Sequence, residues 1–246
     1  MKKVVVVGGT KGIGRAVVRR LVARGDQVVL LGRHADDLTA SAADLAARGA
    51  AGAPGTVLMD LDRPETFDAV LDQAAQAIGG FDTVLVTAGA FGTQDALEAD
   101  AALRDRVLTT NFTHTIQFCE AARERLLAAG GGTLCVLGSV AGDRARKPVV
   151  LYGATKAGVA YYMNGLDARY RDAGLRAVLV KPGFVRTGMT AGLPEPPFAA
   201  DPDAVAPAIV RAIDRGTPQI YVPGIWRLVM AVIRRLPRVV MRKLKF

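Results

Sequence analysis

"VVVVGGTKGIG", residues 4–14, decides how this chain is read. Four consecutive valines lack apolar–polar alternation, the pattern of a strand buried on both faces. They run into glycines at 8, 12 and 14, and then into "GRAVVRRLVARG" (14–25), where apolar residues at 17, 18, 21 and 22 have helical spacing. Glycines in this register allow a sharp turn and let the backbone approach a pyrophosphate. The free N–H groups and positive dipole end of the following helix then face the phosphates. A merely flexible turn would not need three glycines so placed. Gly8, Thr10, Lys11, Gly12, Ile13 and Gly14 are therefore expected to line a dinucleotide.

Working outward, short runs of the same kind recur: "QVVLL" (27–31), "TVLMD" (56–60), "TVLVT" (83–87), "TLCVLG" (133–138), "RAVLVKP" (176–182) and "QIYVP" (219–223). Longer amphipathic segments separate them. Strand and helix in alternation predict a single-domain α/β Rossmann fold, a doubly wound parallel sheet of about seven strands, over 1–223. Residues 224–246 read as a basic amphipathic, helical extension of that domain. Asp201 is expected to cap a helix whose first position is Pro202. Residues 186–200, "RTGMTAGLPEPPFAA", form the one long non-periodic loop, a candidate lid.

Composition narrows the classes. Half of the 246 residues are apolar, ample for a core, and no run of about 20 uncharged apolar residues offers a membrane span. The valine run near the start is too short and too quickly broken for an export signal, so a cytoplasmic enzyme is expected. Cys119 and Cys135 sit in apolar stretches and are expected as small core residues. No metal site is expected. The net charge of +9 is uneven. Residues 224–246 hold seven of the 32 Lys and Arg and none of the 23 acids, which leaves the rest at 25 − 23 = +2. A body so close to neutral is not that of a nucleic-acid binder.

Two positions speak to the nature of the dinucleotide. Where an acid would receive a free ribose 2′-hydroxyl, the second strand ends in Gly32, followed by Arg33. Arg33 and Lys11 suit a 2′-phosphate, so NADP(H) is expected rather than NAD(H); the alternative is two solvated surface cations. Further on, "YGATK" puts Tyr152 and Lys156 four apart on one helical face. A nearby ammonium favours a phenolate, so Lys156 is expected to lower the Tyr152 pKa from its usual value of about 10.

With Ser139 after the fifth strand, Asn111 beyond "VTAG" (86–89) and "PGFVRT" (182–187) after the sixth, the ordered set resembles the short-chain dehydrogenase/reductase family over residues 1–223 or so. The resemblance implies that Tyr152 is the general acid/base and that Ser139 hydrogen-bonds the substrate oxygen. It implies that Lys156 binds the nicotinamide ribose and that Asn111 holds a relay water. Asp60 and Leu61 would meet the adenine, Ala88 and Gly89 would border the adenosine ribose, and Pro182, Gly183, Val185 and Thr187 would lie toward the nicotinamide. Three departures are visible. Val7 replaces the usual threonine, "VTAG" replaces "NNAG", and Gly32 ends the second strand. The first two remove side-chain ties between these segments. The implied reaction is reduction of a ketone by NADPH, and the implied assembly is a homodimer or homotetramer. The helices around 111–129 and 150–173 are the expected contact, with Gly153, Ala154, Ala157, Gly158 and Ala160 permitting close approach.

The substrate is less determined. "DRARK" (143–147), between Ser139 and Tyr152, is either a solvated basic loop or a receptor for an anionic group through Arg144, Arg146 and Lys147. Met189, Leu193 and Phe198 of the candidate lid suit an apolar portion. "SVAGDRARKPVVLYGATKAG" and the tail also resemble a subset of the family that includes bacterial reductases of decaprenyl-phosphoryl keto-pentose, which implies a lipid-linked carbonyl substrate. The competing readings are a reductase of 3-oxoacyl thioesters or small soluble ketones, and a non-catalytic NADP-binding regulator. In the tail, Arg227 and Arg234 are expected on one stripe of a helix that is otherwise apolar and includes Trp226, suited to the inner face of an anionic membrane or to packing on a subunit.

Overall fold

A computed structural model of the chain describes residues 1–49 and 54–244; Lys245, counted above with the basic tail, lies outside them. The strands are β1 (Lys3–Val7), β2 (Gln27–Gly32), β3 (Gly55–Leu58), β4 (Thr83–Val86), β5 (Gly132–Leu137), β6 (Leu175–Pro182) and β7 (Gln219–Val222). They form one seven-stranded sheet in the order β3-β2-β1-β4-β5-β6-β7, every neighbouring pair parallel. The valines of the opening stretch show why the run lacks alternation. Val5 and Val7 enter the apolar layer on one face of the sheet, and Val4 and Val6 enter the layer on the other. Each is at most 2% exposed, and full burial of such a side chain contributes about 1.5–3 kcal/mol.

Helices cover both faces. α1 (Gly12–Ala23), α2 (Ala35–Ala47) and α8 (Pro202–Arg215) lie on the layer containing Val4 and Val6. α3 (Phe67–Ile78), α6 (Thr115–Ala128) and α7 (Val150–Tyr170) lie on the other. Two short helices, α4 (Gln94–Ala99) and α5 (Ala101–Leu108), precede a π-helical turn at Thr109–His114 that leads into α6. The first three strands step outward from β1 in one direction; β4 returns to the other side of β1 and the sheet grows the opposite way. In open sheets of this kind, ligands bind in the crevice where the direction reverses, which here is at the carboxyl ends of β1 and β4. Cys119 and Cys135 are buried, and burial raises both thiols above their usual range, as core cysteines should be.

Two expectations need correction. Asp201 stands at the N-cap position of α8, but its side chain makes no cap bond. It pairs instead with Arg186 at 3.2 Å, and Arg186 also grips Glu195, so the acid closes the 186–200 loop at its base. The tail is two short helices, α9 (Trp226–Ile233) and α10 (Arg238–Lys243), divided before Pro237, the residue expected to interrupt it. Trp226 is not presented outward as an interfacial aromatic. It is buried with Met230, Val140 and Tyr221 in a small third cluster, because an indole of that area gains more from the chain's own core than from solvent.

Candidate active site

The glycine turn is built for close approach. Gly8 and Gly12 have φ of 86° and 53°, which favour glycine. A Cβ on Gly14 would lie 2.3 Å from the Gly8 carbonyl oxygen. The tie that Val7 and "VTAG" seemed to have lost is present in another form. The Thr87 hydroxyl donates to Val7 O at 3.0 Å and to Gly8 O at 2.9 Å, binding β4's end to the turn. Lys11 occupies the N-cap of α1 without a side-chain cap bond, and no acid lies in the first turn, so the helix leaves its N–H groups and dipole to an incoming anion. A backbone cradle that a Cβ would fill, at an uncapped helix end, fits the pyrophosphate of a dinucleotide.

At the end of β2, Gly32 packs under Leu38 and Arg33 is exposed, its Nε donating to His34 Nε2 at 3.1 Å. Arg33 lines a surface cavity of about 340 Å³ with Asp60, Arg63 and the β3 end. Leu61 is buried just behind. Lys11, expected to face a 2′-phosphate, pairs with Asp37 at 2.7 Å, and its ammonium holds the Asp37 carboxyl below the usual range. Asp37 was missed as a site residue. It sits in the first turn of α2, where an acid reads as a helix-dipole partner.

Ser139, Tyr152 and Lys156 are brought together by two glycine contacts. Ser139 follows β5 and opens a 3-10 turn at Val140–Gly142, with its Oγ accepting from Ala141 N at 3.0 Å. A Cβ on Gly142 would fall 2.6 Å from the Lys156 carbonyl carbon, and one on Gly153 would fall 2.8 Å from Ala141 O. The serine turn therefore lies flush on the first turns of α7, beside Tyr152. The Tyr152 phenol is enclosed by Phe91, edge-to-face at 5.1 Å. Lys156 Nζ is 5.8 Å from the Tyr152 ring centroid and donates to Leu137 O at 3.1 Å.

The protonation balance is the reverse of the one expected. Burial pushes the Tyr152 phenol up to about 12, while its hydrogen bond with Ser139 pulls the other way. Burial pushes Lys156 down to about 8. The ammonium spends a hydrogen bond on Leu137, and the protein alone does not lower the phenol. Asn111 differs as well. Its Nδ2 donates to Ala90 O and its Oδ1 accepts from Ala90 N, both at 2.7 Å. Its side chain clamps the segment after β4, and Gly89 lies between it and Lys156. Thr187 lies against Gly12, closing the crevice from the β6 side.

One network was not legible beforehand. Asp143, four residues after Ser139, accepts from Lys181 at 2.6 Å and from the Tyr221 hydroxyl at 2.6 Å. Lys181 directly precedes Pro182–Gly183, and Trp226 packs against Gly183 so closely that a Cβ there would meet its indole nitrogen. One buried carboxylate thus joins the serine turn, the end of β6 and β7. Arg144 ties the same loop to the tail by donating to Leu236 O at 2.7 Å.

These features agree with comparisons to known proteins. A family model described as short chain dehydrogenase matches residues 2–197. An uncharacterised oxidoreductase of Streptomyces coelicolor is 38% identical over 249 residues, covering 99% of this chain and 96% of that protein. Another, from Mycobacterium tuberculosis, is 33% identical, covering 98% and 96%. Among solved structures, that of an actinorhodin polyketide ketoreductase with NADPH superposes with a TM-score of 0.80 at 21% identity, over 90% of this chain and 95% of that one. The chain belongs to the short-chain dehydrogenase/reductase family and is an oxidoreductase. That family uses a nicotinamide cofactor, and the sheet order and crevice are those of its Rossmann fold.

Proposed function

We propose that this protein is a reductase that converts a ketone to a secondary alcohol with NADPH, acting on an apolar or lipid-linked carbonyl compound. The observation that carries the reading is the enclosed Ser139–Tyr152–Lys156 group at the mouth of the dinucleotide crevice. A phenol held protonated up to about 12 is a proton donor throughout the neutral range. Tyr152 delivers that proton to the carbonyl oxygen as negative charge develops, and Ser139 donates a hydrogen bond to the same oxygen. The cofactor, when bound, supplies the hydride. Lys156 is placed to hold the ribose hydroxyls beside Gly89 and Asn111. Phe91 and the tail residues Trp226 and Met230 keep water from the reacting centre.

Preference for NADPH rests on Arg33 and on Lys11, which a 2′-phosphate would draw from Asp37. The solved ketoreductase with NADPH is consistent with this choice. An apolar substrate is supported by the exposed Met189 and Phe198 of the 186–200 loop. Self-association is supported by an apolar groove between α6 and α7 lined by Phe112, Ile116, Tyr161 and Leu166. Peripheral membrane contact is supported by Leu228 and Val232 on the outer side of α9, among cations with no acid in residues 224–246. The test is a panel of carbonyl compounds, including keto-sugars on prenyl phosphates, assayed for NADPH and NADH consumption. Substrate-dependent oxidation of NADPH is expected, with Arg33→Asp erasing the preference over NADH. Binding of NADPH without oxidation by any member would favour a regulator instead.

A further inference from the structure

The loop between Ser139 and Tyr152 carries three cations, and the fold treats them differently. Arg144 is committed to the Leu236 carbonyl. Lys147 is exposed. Arg146, seven residues after Ser139 and six before Tyr152, is half-buried, and its Nε is sealed from solvent with no hydrogen-bond partner. Burial lowers its guanidinium below the usual arginine value, and no protein group opposes that push. Every other half-buried arginine among the described residues has a partner. Arg19, Arg104, Arg123, Arg125 and Arg171 each have a carboxylate, and Arg144 has its carbonyl.

The loop's own acid does not serve Arg146, because both oxygens of Asp143 are taken by Lys181 and Tyr221. Withdrawing a cation from water without a counter-charge is costly, so such a site is completed by an anion. A planar guanidinium fork suits a carboxylate or a phosphate oxygen pair. A guanidinium that is half-buried, with only its Nε sealed, suits a small anionic group rather than a bilayer surface.

We infer that Arg146 receives a carboxylate or phosphate borne by the carbonyl substrate, so that the substrate class is an anionic ketone. The inference rests on the reductase reading above. It predicts that charge on the substrate, at the right distance from the carbonyl, decides its selection.

The experiment uses the full chain and three matched series of ω-keto compounds of increasing length: carboxylates, alkyl phosphates and the methyl esters of the carboxylates. At one chain length, an anionic series is expected to show at least tenfold higher kcat/KM than the esters. Arg146→Gln should collapse that ratio to within about twofold. The better of carboxylate and phosphate identifies the group. Lys147→Gln, a neighbouring cation in open solvent, should leave the ratio intact. Binding is read separately from turnover by fluorescence of the single tryptophan, Trp226, in the presence of NADP⁺. Anions should bind at least tenfold more tightly than esters, and Arg146→Gln and Arg146→Lys should both reduce this. Esters equal to the anions at every length, in rate and in binding, would overturn the inference while leaving the reductase intact. A preference that survives Arg146→Gln would also overturn it. Tight anion binding that depends on Arg146, without NADPH oxidation, would uphold the site and sink the reductase reading.

Discussion

At the scale of single residues, the active site sets chemistry against stability. Lys156 is buried as a cation with one carbonyl partner, and its pKa falls from 10.5 to about 8. At pH 7 the ammonium is present in both folded and unfolded chains, and only the folded state bears the desolvation, about 3 kcal/mol. Between about 8 and 10.5 the unfolded chain binds more protons than the folded one, so this penalty relaxes as pH rises. Lys156→Met is therefore expected to abolish turnover yet raise Tm by several degrees at pH 7, with a smaller gain at pH 10. A lower Tm at both pH values in thermal melts would contradict the account. The same titration predicts that kcat/KM for ketone reduction falls as pH rises through about 8, where the charge beside Tyr152 is lost. Tyr152→Phe should cut kcat by at least a thousandfold while NADPH binding, measured by fluorescence titration, changes less than twofold. The sequence disclosed these two residues because their spacing of four is local. It misjudged their balance because burial, rather than adjacency, dominates both pKa values.

At the scale of elements, the serine turn is held by groups that come from far along the chain. Asp143, Lys181 and Tyr221 belong to the loop after β5, to β6 and to β7, and their side chains are almost wholly buried. Removing one member of a buried ion pair strands the other, whereas replacing both with neutral groups of similar size is often tolerated. Lys181→Met alone should destabilise by about 3 kcal/mol or more, read from urea unfolding. Asp143→Asn with Lys181→Met should recover most of that stability but not the rate. The expected kcat is at least tenfold below wild type, with NADPH affinity unchanged, because the serine turn loses its anchor while the glycine turn keeps its own through Thr87. Wild-type kcat in the double variant would show the network to be structural only. No periodicity announces such a triad, since its members are 38 and 40 residues apart and singly read as surface polar residues.

At the scale of the whole molecule, the fold leaves two apolar surfaces open. The small residues of α7 are not all open to a partner. Gly153 accommodates Ala141 and Gly158 accommodates Phe112 within the same chain. What remains outward is Ala154, Ala157 and Tyr161, the last 84% exposed. Tyr161→Glu is expected to shift a dimer or tetramer toward monomer by sedimentation velocity at micromolar concentration, and an unchanged mass would move the contact elsewhere. The tail offers Leu228 and Val232, 66% and 63% exposed and four residues apart on α9. Because Trp226 and Met230 on the same helix pack with Val140 beside the serine turn, deleting the tail would confound docking with activity. Leu228→Glu with Val232→Glu is the cleaner change. Full-length wild type is expected to sediment with anionic liposomes at low salt and less so at high salt, and the double variant to remain in solution with its NADPH binding intact. Equal sedimentation of both would leave the tail as packing.

The sequence by itself determined the parallel sheet and the glycine turn, through unbroken valine runs and glycines in one register, and it put Tyr152 and Lys156 four apart on one helical face; Ser139 came from the resemblance to a family. Tertiary structure alone decided that Lys11 is shared with Asp37, that Thr87 restores the tie at the turn, and that Asn111 clamps Ala90. It also decided that Trp226 turns inward and that Arg146 alone among the half-buried arginines is left without a partner among the described residues. These outcomes depend on which distant groups share a small buried volume, where hydrogen-bond capacity and desolvation set the pairing. A linear pattern carries no record of that competition.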